Sequence, residues 1–239
     1  MWNSYFFQLQ KKYNMRISTK MPLVFRFDGR QITKNKDINL LDEYDGSFFD
    51  CLEKTARFFT EKYHCYAIFG SDEISFIVPN PNVVIEDLEP NDKTTHSQEL
   101  IALFSQYFFD YFNHFDTHRK IFWHGKCFSI PEGKLTSYIK YRSGIIKNVM
   151  VTYFAKVNRV NNDLGLEEKV QMCKTLPGYD DFSKIQDGIL FFGGMKIDLD
   201  EFIVNGVKEE VMSDDKADAE IFVDLDDIDI EMLWGAEYE

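Results

Sequence analysis

The chain has 239 residues, of which 44% are hydrophobic, 16% aromatic and 28% charged. This composition predicts one large domain with a substantial buried core, and it excludes a disordered chain. Purely apolar runs such as Leu100–Phe104 are far shorter than the roughly 20 residues that span a membrane. The four cysteines form no CxxC pair, which predicts reduced and mostly buried thiols in a cytoplasmic protein.

The net charge of −13 is distributed unevenly along the chain. Residues 198–239 carry 16 acidic and 2 basic side chains, which leaves 24 acidic and 25 basic side chains in residues 1–197. The acidity therefore belongs to the C-terminal segment. A basic groove on the nearly neutral remainder stays possible, so the charge does not exclude an RNA partner.

The first half of the chain alternates between helical and strand patterns. Apolar spacing predicts a helix over residues 2–14 and a strand over Leu23–Phe27 that runs into Asp28-Gly29. An amphipathic helix over Asp45–His64 follows, and then a β-hairpin formed by Cys65–Phe69 and Ile74–Val78.

The second half is predicted to contain longer helices and a final β-rich segment. In chain order we predict a loop over Asn80–Lys93, a helix over Thr95–Phe115 capped at Thr94 or Thr95, a strand over Ile121–Ile130, a helix over Lys134–Val157 with a break at Gly144, a helix over Asn161–Leu176, a hairpin over Asp198–Met212 around Asn205-Gly206, and a strand over Ala219–Asp227.

The order β, α, β, β, α, β after an N-terminal helix predicts an α+β fold of the ferredoxin-like type. In that fold an antiparallel sheet carries both helices on one face. We therefore expect this fold, together with the N-terminal helix, over residues 1–130, a helical extension of the same domain over 131–197, and an acidic C-terminal segment with a β-hairpin over 198–239.

Two acidic turns are the sharpest chemical feature of the sequence. Asp28-Gly29 ends the first strand, and Asp72-Glu73 lies at the tip of the hairpin. The first and third strands of a βαββαβ sheet are neighbours, so these carboxylates are expected to lie close together. Clustered carboxylates suit Mg²⁺, which retains several waters and binds substrate phosphates, and two such ions can assist phosphoryl transfer. Alternatively, Asp and Gly are ordinary turn residues.

The two motifs also support a family resemblance. Arg26-Phe27-Asp28-Gly29-Arg30, then a helix, then Phe69–Phe76 resemble the signature of the tRNA-histidine guanylyltransferase superfamily. This superfamily includes the guanylyltransferase-like 3′-to-5′ RNA polymerases. Weaker similarity is found at Tyr141-Arg142, at Lys147-Asn148 and at Ile185–Gly194, so the resemblance extends over residues 1–197.

The resemblance implies a polymerase/cyclase-type palm that adds nucleotides to the 5′ end of tRNA in the 3′-to-5′ direction. The 3′ hydroxyl of the incoming nucleotide would attack the activated 5′ phosphate. The implied cofactors and partners are two Mg²⁺ ions, ATP or GTP as substrates, tRNA, and further copies of the chain in a homotetramer.

The resemblance also implies roles for individual residues. Asp28, Asp72 and the carbonyl of Gly29 would bind the metal ions, and Glu73 would support them as part of the catalytic set. The implied nucleotide-binding residues are Arg26, Gly29, Arg30, Ser71, Lys147 and Asn148. With an RNA substrate, the basic residues Lys11, Lys12, Lys140 and Arg142 become natural phosphate contacts.

The sequence departs from the family pattern in two places. Asn39–Asp42 lacks the Lys and Pro of the family stretch, and Ile145–Asn148 lacks the His of the run that helps to select tRNA-His. These departures favour template-dependent tRNA 5′-end repair over strict tRNA-His guanylylation. A palm-fold nucleotide cyclase and a non-catalytic RNA- or nucleotide-binding protein remain as alternatives, although the intact Asp28, Gly29 and Asp72 argue against a degenerate site.

Overall fold

The computed structural model describes residues 17–30, 32, 38–42, 46–88, 96–117, 119–161 and 163–214, with only the backbone described for 207–214. The predicted helix over residues 2–14, the predicted RNA contacts Lys11 and Lys12, the cap at Thr94 or Thr95 and the strand Ala219–Asp227 lie outside the described residues.

A six-stranded antiparallel sheet forms the centre of the molecule, with the strand order β4-β1-β3-β2-β5-β6. Strand β1 pairs with both β3 and β4, so the first and third strands are neighbours as predicted. The strands are β1 (Leu23–Gly29), β2 (Tyr66–Gly70), β3 (Glu73–Val78), β4 (Trp123–Ser129), β5 (Ile189–Phe192) and β6 (Met195–Ile197).

Seven helices are described, and two of them form the βαββαβ unit with the first four strands. They are α1 (Phe48–Tyr63), α2 (Asn82–Leu88), α3 (Ser97–Phe115), α4 (Leu135–Val157), α5 (Leu166–Cys173), α6 (Tyr179–Ser183) and α7 (Leu199–Asp214). Helix α1 begins at Phe48 because the hydroxyl of Ser47 accepts the Asp50 N–H over 3.1 Å.

Stacked phenylalanines join one face of the sheet to α1 and α3. The ring of Phe25 stacks on Phe104, and that of Phe27 stacks on Phe108, each with 4.1 Å between centroids. Phe59 of α1 packs against Phe76 of β3 at 5.1 Å. Both helices of the βαββαβ unit therefore lie on one face, as predicted, and this layer contains most of the buried aromatic side chains of the described residues.

Helix α4 covers part of the opposite face. Because side chains alternate along a strand, Arg26 and Asp28 point away from the phenylalanine layer, toward the side where α4 packs. Ile146 of α4 lies so close to Gly70 that a Cβ there would be 2.5 Å from its Cγ2. The helix is continuous, so the break predicted at Gly144 is absent; a Cβ at Gly144 would meet nothing within 4 Å.

Three predictions about secondary structure need correction. The predicted loop Asn80–Lys93 contains α2, and the helix predicted over Asn161–Leu176 is shorter, because α5 starts at Leu166 after Gly165. Helix α3 starts at Ser97, with His96 as the residue before it.

Among the described residues, no helix combines the length and the apolar character that a membrane crossing requires.

The hairpin predicted over Asp198–Met212 is wrong, because this stretch is the helix α7. Gly206 does not form a turn; it lies where α7 meets α4, and a Cβ there would be 2.2 Å from the Thr136 Oγ1. The sheet does receive a C-terminal hairpin, but β5 and β6 form it. Its turn contains Gly193 and Gly194, which both have positive φ.

Candidate active site

The two acidic turns meet at one end of the sheet. Asp28 is paired in register with Glu73 across β1 and β3, and Asp72 lies in the turn just before Glu73. The N–H of Gly29 donates to the carbonyl of Asp72 over 2.6 Å. This backbone bond connects the end of β1 to the β2–β3 turn and brings the carboxylates of Asp28 and Asp72 together.

Gly29 is required by the close approach of these two segments. A Cβ at this position would lie 2.5 Å from the Ile32 Cγ1 and 3.1 Å from the Asp72 carbonyl oxygen. The first distance is shorter than any real Cβ contact, and the second involves a backbone atom that is already hydrogen-bonded. A side chain at Gly29 would therefore separate the two turns.

The Asp72 carboxylate is held in place by the preceding serine, and its pKa is raised. The hydroxyl of Ser71 donates to the Asp72 Oδ1 over 3.1 Å, and Ser71 itself is buried with a φ of +52°. Such a φ is uncommon for a residue with a side chain. Burial, and then the negative charge of Asp28, raise the pKa of the Asp72 carboxyl above its ordinary value.

A buried ion network lies directly beneath the acidic pair. Arg142 from α4 donates from its Nε to the Glu73 Oε1 over 2.9 Å and from its second terminal nitrogen to the Glu73 Oε2. Arg26 bridges Glu73 at 3.0 Å and also pairs with Asp28. Glu73 and Arg142 are 3% and 4% exposed. The Glu73 carboxylate thus pairs with two arginines, and through Arg26 it helps to position the Asp28 carboxylate.

The burial of Arg142 corrects one prediction. Its guanidinium is enclosed and paired with Glu73, so the predicted contact between Arg142 and RNA phosphates does not hold. The Nε of Arg26 is also a buried donor, and it has no acceptor within the part of the chain that the structure describes.

The carboxylates fit a magnesium ion that is completed by substrate. No group of three or more His, Cys, Asp or Glu side chains in the described ranges could hold a metal by itself. Mg²⁺, however, is commonly bound by one or two carboxylates together with waters and substrate phosphates. Asp28 and Asp72 supply two partly accessible carboxylates whose mutual repulsion a cation would relieve.

The remaining predicted residues lie around this centre to different degrees. Arg30 is exposed just beyond Gly29, and its N–H donates to the Phe122 carbonyl over 2.7 Å. Lys147 pairs with Asp187 at 2.8 Å, with each side chain 34% exposed. Lys140 and Asn148 are exposed on α4. Asn148 follows Ile146 by two positions, which places it on the solvent side of the helix.

Sequence reasoning missed the side chains of β4 that share a face with the acidic pair. His124 is in register with Asp28, and Lys126 is in register with Arg26. Both are exposed, as is the neighbouring Phe122. Polar side chains at every second position, His124 and Lys126, indicate a strand with one exposed face. The sequence does not show that this face is the one that carries Asp28.

Comparison with known proteins identifies the fold. No protein-family model matches the chain, and no curated protein matches it in sequence. Its structure is similar to that of a bacterial tRNA(His) guanylyltransferase-like protein in complex with GTP, with a TM-score of 0.57 and 16% identity over 80% of this chain and 83% of that chain. The same type of bacterial protein in complex with ATP gives a TM-score of 0.57 and 15% identity over 80% and 84% of the two chains.

The tRNA(His) guanylyltransferase of Saccharomyces cerevisiae is also similar, with a TM-score of 0.53 and 14% identity over 80% of this chain and 93% of that chain. This chain has the tRNA-histidine guanylyltransferase fold. The predicted α+β palm and the resemblance to this superfamily are thereby confirmed at the level of fold. Within the guanylyltransferase fold, the acidic pair Asp28 and Asp72 occupies the end of the central strands β1 and β3.

Proposed function

We propose that this protein is a cytoplasmic, magnesium-dependent nucleotidyltransferase that adds nucleotides to the 5′ end of tRNA in the 3′-to-5′ direction. The observation that carries the proposal is the pair of carboxylates, Asp28 and Asp72, that the Gly29–Asp72 backbone bond holds together. Structural similarity to guanylyltransferase-like proteins in complex with GTP and ATP supports a nucleoside triphosphate as the second substrate.

In the proposed reaction a bond forms between the 3′ oxygen of the incoming nucleotide and the activated 5′ phosphorus of the tRNA. The bond from that phosphorus to its leaving phosphate group breaks. Asp28, Asp72 and the Gly29 carbonyl would hold Mg²⁺, which when bound stabilises the charge that develops on the attacking and leaving oxygens.

The chain's own side chains position this chemistry. Ser71 orients the Asp72 carboxylate through its hydroxyl, while Arg26 and Arg142 neutralise Glu73 beneath the site. Arg30, exposed at the end of β1, is placed to contact a substrate phosphate. The roles of Lys147 and Asn148 toward the nucleotide, and of Lys140 toward RNA, remain part of the proposal.

The proposed branch of activity is tRNA 5′-end repair, since Ile145–Asn148 lacks the histidine of the tRNA-His-selecting run. The proposal also includes a homotetramer, as the resemblance implies. Light scattering at micromolar concentration tests the assembly, because a monomeric mass would contradict it.

The decisive experiment incubates the protein with 5′-truncated tRNAs and labelled ATP or GTP, with Mg²⁺ or with a chelator. We expect a product one nucleotide longer that depends on both Mg²⁺ and Asp28. Turnover of the nucleotide without RNA would instead indicate a cyclase. Binding of RNA or nucleotide without any product in all conditions would indicate a non-catalytic binding protein.

A further inference from the structure

Strand β4 presents a row of exposed side chains beside the acidic pair. His124 and Lys126 alternate along the strand and point to the face that carries Asp28. Phe122 lies just before the strand begins at Trp123 and continues the same alternation. His124 is the register partner of Asp28. The Phe122 carbonyl accepts the Arg30 N–H, which fixes the backbone at the end of the row next to the site.

The row lies on an open part of the sheet. β4 is an edge strand, and on this strand helix α4 makes a ring contact at Phe128, whose ring meets that of Tyr138 at 5.9 Å. Beyond Phe128 the row is uncovered by the described residues, and Phe122 is 75% exposed. From Lys126 to Phe122 the chain spans about 13 Å, and it passes Asp28 at His124.

The composition of the row resembles a surface for single-stranded nucleic acid. A lysine on an edge strand commonly serves only to prevent strand pairing, but this does not explain the exposed side chain of Phe122, four residues before Lys126. Proteins that bind single strands combine cationic side chains for the phosphates with aromatic rings on which bases stack. Lys126 and Arg30 supply positive charge at the two ends of the row.

We propose that β4 binds the terminal nucleotides of the RNA substrate. Phe122 stacks on the terminal base, and His124 and Lys126 contact the adjacent phosphates, so that the 5′ end lies at Asp28. This inference rests on the proposed function, because it assigns the RNA half of the same site. The charge of the row complements the RNA backbone.

The test measures RNA binding apart from catalysis. A 5′-truncated tRNA carrying 2-aminopurine at its 5′ end is titrated with the full-length protein, without nucleotide or Mg²⁺. The variants are Phe122→Ala, Phe122→Trp, His124→Ala and Lys126→Glu. The opposite edge strand β6 supplies matched controls, Met195→Ala and Lys196→Glu, because Met195 is 66% exposed and Lys196 is exposed.

For the aromatic position we expect quenching of the 2-aminopurine by the wild-type protein and by Phe122→Trp. Phe122→Ala should lose the quenching and weaken RNA binding roughly five- to a hundredfold. Met195→Ala should behave as the wild type. Retention of quenching and affinity by Phe122→Ala would overturn the proposal.

For the charged positions we expect Lys126→Glu to weaken RNA binding and to reduce its salt dependence by about one phosphate contact, whereas Lys196→Glu leaves both unchanged. His124→Ala should weaken binding in the same direction. If the β4 variants lower affinity for ATP or GTP but bind RNA as the wild type does, the row belongs to the nucleotide and the proposal is wrong.

The two proposals fail in different ways. A wild-type protein that adds nucleotides while the β4 variants match their β6 controls overturns the RNA-binding row alone. RNA binding that depends on the row, in a wild-type protein that adds no nucleotide, supports the row and contradicts the proposed catalytic function.

Discussion

The Gly29 N–H donates to the carbonyl of Asp72 over 2.6 Å, and this bond joins two turns that are distant in the sequence. Asp28 precedes the donor and Asp72 is the acceptor, so the bond holds the backbones of the two acidic residues next to each other. The site therefore depends on backbone proximity that only a glycine at position 29 permits.

Gly29→Ala should strongly reduce nucleotide addition. The new methyl group would lie 2.5 Å from the Ile32 side chain and 3.1 Å from the Asp72 carbonyl oxygen, so the turns must separate. Overpacking of this kind costs about 1–3 kcal/mol of unfolding free energy, which urea denaturation measures. Gly144→Ala is the control: its methyl group meets nothing, and the helix should gain about 0.5–1 kcal/mol.

Asp28→Asn and Asp72→Asn should each lower the rate of nucleotide addition by several orders of magnitude while the fold is kept. Burial and Asp28 both disfavour the charged form of Asp72, so removing this charge should leave the melting temperature equal or higher. Asp180→Asn, at an exposed acid on α6, is the control. Near-normal turnover in either site variant would contradict the assignment.

The position of the acidic pair could be predicted from the sequence because local patterns determine it. Asp-Gly at the end of an apolar strand and Ser-Asp-Glu between two short strands both indicate turns, and the βαββαβ order makes the first and third strands neighbours. The location of Asp28 and Asp72 follows from these local signals, and the structure agrees with them.

Long-range partners could not be predicted in the same way. Arg142 looks like any basic residue on an amphipathic helix, and only the packing of α4 on the sheet buries it against Glu73. Asn205-Gly206 has the composition of a turn, but contact with Thr136 places it inside a helix. In both cases a neighbour that is distant in sequence overrides the local preference.

Glu73 and Arg142 should stabilise the fold as a pair, so that the effect of replacing one depends on whether the other is present. Arg142→Met leaves Glu73 buried with one cation fewer, and breaking a buried pair costs about 3–5 kcal/mol; the remaining contact with Arg26 favours the lower end. In the double variant with Glu73→Gln, the loss should be smaller than the sum of the single losses. Urea denaturation of all four proteins measures this coupling.

The matched control is the partly exposed Lys147–Asp187 pair, whose side chains are each 34% exposed. Because solvent screens this pair, Lys147→Met should cost about 0.2–1 kcal/mol. Equal losses of unfolding free energy at the two pairs would show that the buried Glu73–Arg142 pair stabilises the fold no more than a partly exposed ion pair does.

Shortening the chain should separate the structural role of α7 from the effect of the acidic residues that follow it. Helix α7 packs on the rest of the molecule through Gly206 against Thr136 and through the Phe202 ring, which lies 5.3 Å from that of Tyr66. A chain ending at residue 197 should therefore melt at a lower temperature, whereas one ending at 214 should keep the wild-type melting temperature. Gly206→Val should reproduce part of the loss, and Val204→Ala, at an exposed position of the same helix, should not.

The chain ending at 214 should also bind tRNA more tightly than the full chain. Residues 215–239 carry 10 acidic and 1 basic side chain, and their removal lowers the electrostatic repulsion of the RNA backbone. Screening shortens the range of such repulsion to about 10 Å at 0.1 M salt, so the gain in affinity should be large at low salt and disappear at high salt. Fluorescence anisotropy with labelled tRNA at two salt concentrations measures the difference. An equal affinity of both chains at low salt would show that the acidic segment does not oppose RNA binding.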